Sequence, residues 1–289
     1  SGSLIQEYYE RVIKKLTATG RVSFFPFCDY RGDGRFTSLE SPELDYQVTV
    51  RRKIVDSTYT KITVPSTTPP NYEAADGVTL VPINEIASLE RSWNRYVVIG
   101  AGKTGMDAVL HLLSEGVDPD AITWIVSNDA WFLNRATIMP NVIVDAMPDQ
   151  LRCIAEADSP DDVFVRQEAA GHIMRLDETI WPTKYHCATI TVDELMQLRR
   201  IKNVVRKGRV VRLEQNSMVL TFGTEPNEAD SLYIDCTANG LARRPARPIF
   251  EEDRITIQPV FMCQPIYSAS GLAKIDLRYK DTALKNRIC

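Results

Sequence analysis

Residues 95–116 read RYVVIGAGKTGMDAVLHLLSEG, and this stretch carries the strongest structural signal in the chain. An apolar run, residues 96–99, leads directly into GAGKTG, and an amphipathic run follows as far as Gly116. This order predicts a buried strand, a tight turn and a helix, the unit that holds a dinucleotide pyrophosphate at the start of its helix. A second apolar run, residues 122–126, follows at the distance expected of the next parallel strand.

Each glycine of this turn has an expected role in dinucleotide binding. Gly100 would form the tight turn, Gly102 would let the pyrophosphate approach the backbone, and Gly105 would let the helix pack close to the strand. The alternative is a glycine-rich turn that serves packing alone. We therefore predict that the cofactor-binding turn consists of Gly100, Ala101, Gly102, Lys103, Thr104 and Gly105.

The tripeptide Gly102-Lys103-Thr104 also resembles the end of a P-loop. That motif requires a glycine five residues before Gly102, and Val97 occupies this position inside the predicted strand. The pattern therefore favours a dinucleotide over a nucleoside triphosphate as the ligand of the turn.

Length and charge narrow the class of protein. The chain has 289 residues, enough for two modest domains, and a net charge of −4. A slightly negative charge gives no electrostatic support for nucleic-acid binding, so we expect no nucleic-acid partner. No apolar run is long enough to span a bilayer and no secretory signal is visible, so we expect no membrane partner.

The cysteines are scattered and include no CxxC pair. This usage is typical of reduced thiols in a cytoplasmic protein and argues against a disulfide framework, a zinc site or a redox-active dithiol. We expect no metal site, because the few histidines also lack metal-ligand spacing. The residues concerned are Cys28, Cys153, Cys187, Cys236, Cys263, Cys289, His111, His172 and His186.

Polar residues follow the second predicted strand, at the end that meets the adenosine ribose in dinucleotide-binding folds. Ser127, Asn128 and Arg135 would suit the extra phosphate of NADP, whereas Asp129 would suit the ribose hydroxyls of NAD. The sequence leaves the choice between NADP and NAD open.

The remaining patterns predict an α/β protein with an antiparallel part on each side of the glycine turn. A helical stripe over residues 4–16 precedes a meander of strands at 21–30, 35–39 and 45–50. Prolines at 64–70 predict a stiff crossing between domains. Further predicted elements are helices at 149–157, 160–170, 192–200 and 270–279, an aromatic loop at 181–187, a hairpin about residues 215–216, and strands at 232–237 and 255–260.

Three stretches together resemble flavoproteins with two dinucleotide-binding domains, the group of flavin-containing monooxygenases and pyridine-nucleotide-disulfide reductases. Residues 97–105 resemble their second, NAD(P)-binding glycine turn. Residues 54–59 resemble the strand and linker by which the chain leaves the FAD domain, and residues 232–240 resemble the strand by which it returns. The likeness is strongest to bacterial NAD(P)/FAD-dependent oxidoreductases and extends over most of the chain.

The two joints of this chain depart from the Ala-Thr-Gly that such proteins typically carry there. The first joint reads Ser-Thr-Tyr at residues 57–59, and the second reads Ala-Asn-Gly at residues 238–240. The resemblance implies that the backbone of both joints lies near the flavin. The cofactor-binding residues implied in this way are Ser57, Thr58, Tyr59, Thr237, Asn239 and Gly240.

The resemblance implies a Rossmann-like NAD(P)-binding domain inserted between parts of an FAD-binding domain. We expect a partial FAD-binding domain at residues 1–92, the NAD(P)-binding domain at 93–240 with a helical insertion at about 140–185, and a truncated return to the FAD domain at 241–289. The sequence has no second GxGxxG, so we expect a fragment that lacks the N-terminal FAD glycine turn.

The implied function is that of an NAD(P)H-dependent flavin oxidoreductase with FAD and NADP, or NAD, as cofactors. Hydride would pass from nicotinamide to FAD and on to oxygen or an organic acceptor, as in a monooxygenase, with a small molecule as substrate. The sequence offers no acid/base pair to which catalysis could be assigned. Enzymes that use a flavin and a nicotinamide need few catalytic side chains, because the cofactors carry the hydride chemistry. The alternatives are a nucleotide-binding module without turnover and a flavin-free NAD(P)-dependent dehydrogenase. A homo-oligomer is compatible with the sequence.

Overall fold

The fold is mixed α/β with parallel sheets. The structure is a computed structural model, and it describes residues 2–60, 62–139, 141–228, 230–238, 240–241, 244–260 and 265–289. Its contacts separate two compact units, residues 1–59 with 245–289 and residues 60–244. By their places in the sequence, the first, which holds both ends of this chain, is called the outer unit and the second the central unit.

The α-helices of the described residues include four in the central unit. In chain order they are α1 (Gly2–Thr17), α2 (Lys103–Ser114), α3 (Ile143–Ala155), α4 (Pro160–Ala169), α5 (Val192–Leu198), α6 (Pro265–Arg278) and α7 (Thr282–Ile288).

The strands are short, from two to seven residues each. In chain order they are β1 (Cys28–Gly32), β2 (Arg35–Ser38), β3 (Asp45–Gln47), β4 (Ile54–Asp56), β5 (Ile62–Thr63), β6 (Glu73–Ala74), β7 (Thr79–Pro82), β8 (Arg95–Ile99), β9 (Ile122–Ile125), β10 (Ala130–Asn134), β11 (Ile173–Met174), β12 (Lys184–Ile190), β13 (Asn203–Val205), β14 (Val210–Leu213), β15 (Ser217–Leu220), β16 (Gly223–Pro226), β17 (Ser231–Asp235), β18 (Gly240–Leu241) and β19 (Arg254–Thr256).

The outer unit contains two small sheets. Strands β1, β2 and β3 form the antiparallel meander that the sequence predicted. Strands β4 and β19 pair in parallel although the whole central unit separates them in the chain. Helix α7 closes this unit: Lys285, which is buried, donates to Asp276 of α6 at 2.7 Å.

The central unit is built on a five-stranded sheet in the order β13-β9-β8-β17-β7. All four pairings in this sheet are parallel. The five carboxyl ends therefore meet at one edge of the sheet. The rest of the unit adds the sheets β16-β15-β14-β6, β11-β10-β12 and β18-β5.

Strand β8 lies at the centre of this sheet and is buried on both faces. Val98 belongs to the apolar cluster that α2 and α5 cover, whereas Val97 and Ile99 belong to the cluster beneath β14 and β15. A continuous apolar run is the pattern expected of a parallel strand covered on both sides, and residues 96–99 have it. Helix α2 buries Met106, whose side chain is fully enclosed.

The structure confirms the predicted strand, turn and helix about the glycines. Helix α2 ends where Gly116 adopts a φ of +83°, a conformation that favours glycine. The amide of Val117 then donates to the carbonyl of Leu112 at 3.0 Å and satisfies one of the last helical acceptors. Helices α1, α3, α4, α5 and α6 and the hairpin β14–β15 are also confirmed, with shifted ends.

Several predicted boundaries are wrong. The first strand begins at Cys28 rather than residue 21, and four residues of the predicted aromatic loop, from Lys184, belong to β12. The segment that leads into the predicted hairpin contains two strands, β13 and β14, in different sheets. Strand β7 was not predicted from the sequence. Neighbouring strands supply the hydrogen bonds here, and such long-range pairing overrides local pattern.

The contact-defined units differ in their limits from the ranges 1–92, 93–240 and 241–289. Residues 79–82 lie in the central unit because they pair with β17 in the five-stranded sheet. The expected helical insertion at about 140–185 contains α3 and α4 but also β11 and the start of β12. No helix in the described ranges is long and apolar enough to cross a membrane.

Candidate functional site

The candidate site lies at the carboxyl edge of the five-stranded sheet. The glycine turn follows β8, residues 127–128 follow β9, and residues 236–237 follow β17. Since β9 and β17 are the two neighbours of β8, the structure brings these three segments to adjacent positions on one edge. Ligands of parallel α/β sheets bind at such an edge.

Gly100 and Gly105 are required by close packing of backbone on backbone. A Cβ on Gly105 would lie 1.9 Å from the carbonyl oxygen of Gly100, and one on Gly100 would lie 2.8 Å from the carbonyl oxygen of Cys236. Gly100 also has a φ of +125°. Its carbonyl accepts a hydrogen bond of 2.8 Å from Nε1 of the buried Trp124.

Gly102 is different, because nothing in the protein requires a glycine there. Its φ is −77°, which any residue can adopt, and a Cβ built on it meets no heavy atom within 4 Å. Gly102 is exposed, so the backbone at this position faces open space. An uncovered main chain is what close approach of a pyrophosphate needs.

The first turn of α2 presents unbonded amides to the same space. Its first intrahelical bond runs from the amide of Met106 to the carbonyl of Gly102, at 3.1 Å. No side chain of the described residues caps the helix, and its first turn contains no acidic residue. The amides of residues 103–105 and the helix dipole therefore favour an anion.

The polar residues of the turn are partly engaged. Lys103 forms an ion pair with Asp107 one helical turn later, so its charge is already partly balanced. Thr104 is half-buried beside it, and Ala101 packs against the core under α2.

The strand end after β9 carries a neutralised carboxylate. Ser127 and Asn128 are half-buried there. Both oxygens of Asp129 accept hydrogen bonds from Arg206, at 2.9 and 3.2 Å, and the Asp129 side chain is only 12% exposed. Arg206 directly follows β13, the neighbour of β9. The acidic group that would suit NAD is thus bound to a guanidinium.

Arg135 lies away from this strand end. It follows β10, and the six residue steps from Asp129 to Arg135 correspond to about 20 Å at the rise of an extended strand. Its guanidinium donates to the carbonyl of Thr189 at 3.0 Å. The structure therefore does not bring Arg135 together with Ser127 and Asn128.

A buried carboxylate that the sequence analysis missed lies next to the glycine turn. Asp235 ends β17 in register with Ile99, the residue before Gly100. It is 3% exposed, and its Oδ1 accepts from the Tyr72 hydroxyl at 2.9 Å and from the amide and hydroxyl of Thr237 at 3.1 and 2.7 Å. Its Oδ2 is buried without a hydrogen-bond partner among the described residues. Such an oxygen calls for an external donor, because leaving it unpaired costs free energy.

Burial at this edge raises the pKa of two neighbouring groups. Desolvation raises the pKa of Tyr72 far above its usual range, and the Asp235 carboxylate adds to the effect. Desolvation also raises the pKa of the Cys236 thiol, with smaller contributions from Asp235 and Asp107. Both groups are therefore neutral donors at neutral pH, and Cys236 is not a nucleophile.

The first joint repeats the arrangement of the second. In the outer unit, Oδ1 of Asp56 accepts from the amide and the hydroxyl of Thr58, both at 2.8 Å. These bonds lower the pKa of Asp56. Ser57 is exposed, and the hydroxyl of Tyr59 donates to the carbonyl of Pro245 at 2.6 Å.

The remaining predicted residues of the second joint are partly described. Gly240 begins β18, which pairs antiparallel with β5 and places Gly240 opposite Thr63. Asn239 lies outside the described residues. Thr237 is half-buried and is held by Asp235, as described above.

A repeated tripeptide could have identified the missed carboxylates from the sequence. Each joint strand ends in Asp-x-Thr, as Asp-Ser-Thr at 56–58 and Asp-Cys-Thr at 235–237. An Asp side chain that binds the backbone two residues later is a common turn. Arg206 gave no such local signal, because its partner is 77 residues away.

No set of three potential metal ligands lies together anywhere in the described part of the chain. His172 is buried and its Nε2 lies 2.8 Å from Oδ2 of Asp149, far from the glycine turn in the chain. At the carboxyl edge of the five-stranded sheet, the main-chain amides of the glycine turn and the Asp235 carboxylate point to recognition of an anionic, hydroxyl-bearing ligand.

Comparison with known proteins finds mycobacterial proteins that are similar to this chain over most of its length. No family model matches the chain. The chain is 45% identical over 288 residues to the "Uncharacterized protein Rv2000" of Mycobacterium tuberculosis (strain H37Rv) and to the "Uncharacterized protein Mb2023" of Mycobacterium bovis. The match covers 98% of this chain and 53% of each relative, so the chain spans about half the length of the curated relatives it matches.

Adding a methyl group at Gly105 should destabilise the central unit, whereas adding one at Gly102 should not. Gly105→Ala places Cβ against the Gly100 carbonyl, so we expect a loss of about 3 kcal/mol in the free energy of unfolding. Gly102→Ala should change it by less than about 1 kcal/mol. Urea unfolding followed by circular dichroism measures both, and equal stabilities would contradict the close approach of helix and strand.

The buried thiol should make stability fall in alkali. The unfolded Cys236 ionises near its ordinary pKa of 9.0, while the folded thiol stays protonated, so stability is present below pH 9 and is lost as the pH rises above it. Cys236→Ala should flatten the slope of unfolding free energy against pH above 9 by up to about 1.4 kcal/mol per pH unit. An unchanged slope in Cys236→Ala would contradict the assignment of this alkaline loss to the buried thiol.

Proposed function

We propose that residues 60–244 form a Rossmann-like domain that binds NADPH, with the pyrophosphate against Gly102 and the start of α2. The observation that carries this proposal is the open backbone at Gly102, where a Cβ meets nothing within 4 Å. Neither packing nor backbone conformation accounts for that glycine, whereas a ligand close to the main chain does.

The strand order supports the same location. From β8 the chain moves through α2 to β9 on one side, while β17 lies on the other side of β8. The strand order therefore reverses between β8 and β17, and open α/β sheets bind ligands outside the strand ends at such points. Oδ2 of Asp235 lies at this reversal and would accept a hydrogen bond from a hydroxyl or amide of the ligand.

The ion pair at the ribose end favours NADPH over NADH. An acidic residue selects NAD by accepting hydrogen bonds from the ribose hydroxyls. In this chain both oxygens of Asp129 are occupied by Arg206, so the acceptor is taken and its repulsion of a phosphate is reduced. Ser127 and Asn128 supply the remaining donors.

For the whole protein, the proposed activity is that of an NADPH-dependent flavin oxidoreductase. It rests on the resemblance of three sequence stretches to flavoproteins with two dinucleotide-binding domains. NADPH would reduce FAD, and reduced FAD would pass electrons to oxygen or an organic acceptor. The cofactors supply that chemistry, and residues of this chain would bind and orient NADPH.

Isothermal titration of the chain with NADPH and NADH tests the binding proposal. We expect saturable NADPH binding, with NADH at least about tenfold weaker, which corresponds to about 1.4 kcal/mol. Gly102→Ala should weaken NADPH binding by about tenfold or more without unfolding the protein. Gly271→Ala, which adds a methyl group in open space on α6 of the outer unit, is the matched control and should bind as the wild type does.

Turnover is measured separately, by the loss of NADPH absorbance with FAD and oxygen present. Oxidation that depends on FAD supports the oxidoreductase. NADPH binding without oxidation under these conditions favours a nucleotide-binding module. A chain that binds neither dinucleotide, or whose Gly102→Ala variant binds NADPH unchanged, contradicts the proposed site.

A further inference from the structure

A second candidate site lies in the central unit, in the segment between β9 and α5. It is a cavity of about 320 Å³, close to the lower limit for small-molecule sites. Its volume suits one ring system with a short substituent and is too small for a whole dinucleotide. Its lining residues are Trp131, Asp161, Phe164, Trp181, Pro182, Thr183, Lys184 and Tyr185.

The aromatic walls of the cavity support one another through Trp131, which is 2% exposed. Phe164 stacks on Trp131 with ring centroids 5.3 Å apart, and Trp181 meets Trp131 edge to face at 5.2 Å. Tyr185 contacts Phe164 at 6.1 Å in a perpendicular arrangement. These spacings are those of attractive aromatic pairs, so the walls are preformed rather than collapsed into the space.

One of these walls is open to solvent. The Trp181 ring is 41% exposed, although it is large and apolar and is held against Trp131. The guanidinium of Arg175 lies 5.2 Å from the Trp131 ring and 5.6 Å from the Trp181 ring, and Glu168 holds it through two hydrogen bonds. A protein cation thus already occupies the cation–π position, which favours a neutral planar ring as the ligand.

The rim of the cavity carries one charge of each sign. Asp161 lies in the first turn of α4, and Lys184 begins β12. Both side chains are exposed, and neither forms an ion pair with another described residue. A ligand with both an ammonium and a carboxylate group would match this pair, whereas a singly charged ring would leave one rim charge unmatched.

The loop that lines the cavity is held by main-chain hydrogen bonds. The amides of Thr183 and Lys184 both donate to the carbonyl of Asp129, at 3.1 and 3.2 Å. The loop that carries Trp181 is therefore attached to the segment that follows β9, which limits the movement of the aromatic walls.

We infer that this cavity binds a free aromatic amino acid, with its ring against Trp181, its ammonium group toward Asp161 and its carboxylate toward Lys184. The inference does not depend on the proposed NADPH site. It assigns a second small-molecule site to the central unit, separate from the glycine turn.

Isothermal titration of the chain with four probes tests the inference: L-tryptophan, tryptamine, indole-3-propionate and indole. L-tryptophan should bind saturably and at least about tenfold more tightly than indole, since each matched charge adds to the ring contact. Trp181→Ala should weaken L-tryptophan binding about tenfold, and its exposed position means that the fold should persist, as circular dichroism will show.

Charge variants separate the two rim contacts. Asp161→Asn should reduce binding of L-tryptophan and tryptamine but not of indole-3-propionate. Lys184→Met should reduce binding of L-tryptophan and indole-3-propionate but not of tryptamine. Asp193→Asn, in the first turn of α5, is the matched control because it removes an acid from an equivalent helix position. It should leave all four affinities unchanged.

Three outcomes overturn the inference. The first is the absence of saturable binding by any probe, and the second is equal affinity for indole and L-tryptophan. The third is displacement of L-tryptophan by AMP, because the aromatic cavity would then belong to the base of a bound dinucleotide.

Discussion

The central unit depends on the close approach of α2 to the end of β8. That approach is possible only because Gly105 lacks a side chain where the Gly100 carbonyl lies, 1.9 Å from the place of a Cβ. The same carbonyl accepts a hydrogen bond from the buried Trp124, so the turn is tied to β9 as well as to its own helix. The contact also sets the start of α2 at the edge of the sheet, so the amides of its first turn, which have no intrahelical partner, lie at that edge.

Electrostatics at this edge follow from where each strand ends. The helix start favours negative charge, whereas Asp235 is a carboxylate kept almost fully from water on the neighbouring strand. Its Oδ1 is satisfied by Tyr72 and Thr237, but its Oδ2 has no partner among the described residues. One edge therefore offers donors for phosphate and an acceptor for a hydroxyl or amide, the two kinds of group that a dinucleotide combines.

The segment between β9 and α5 adds a distinct chemical environment to the same unit. Aromatic rings and a paired Arg175 replace the main-chain amides and glycines of the turn. The two environments are connected through Asp129, whose carboxylate binds Arg206 and whose carbonyl binds the loop of the aromatic cavity. Asp129 thus links the end of β9 to Arg206 and to the loop of the aromatic cavity, and these bonds hold Asp129 rigidly.

Local pattern was sufficient to predict the strand, turn and helix at 95–116, the next strand and most helices, because glycine positions and apolar periodicity act over a few residues. It was also sufficient to select Gly100, Gly102 and Gly105, but not to distinguish the glycines that packing requires from the one that it leaves open. That distinction, the pairing of Asp129 with Arg206, and the burial of Asp235 arise from contacts between segments far apart in the chain. Side chains at strand ends acquire partners only when parallel strands are placed side by side, and no short-range pattern encodes which neighbour each one meets.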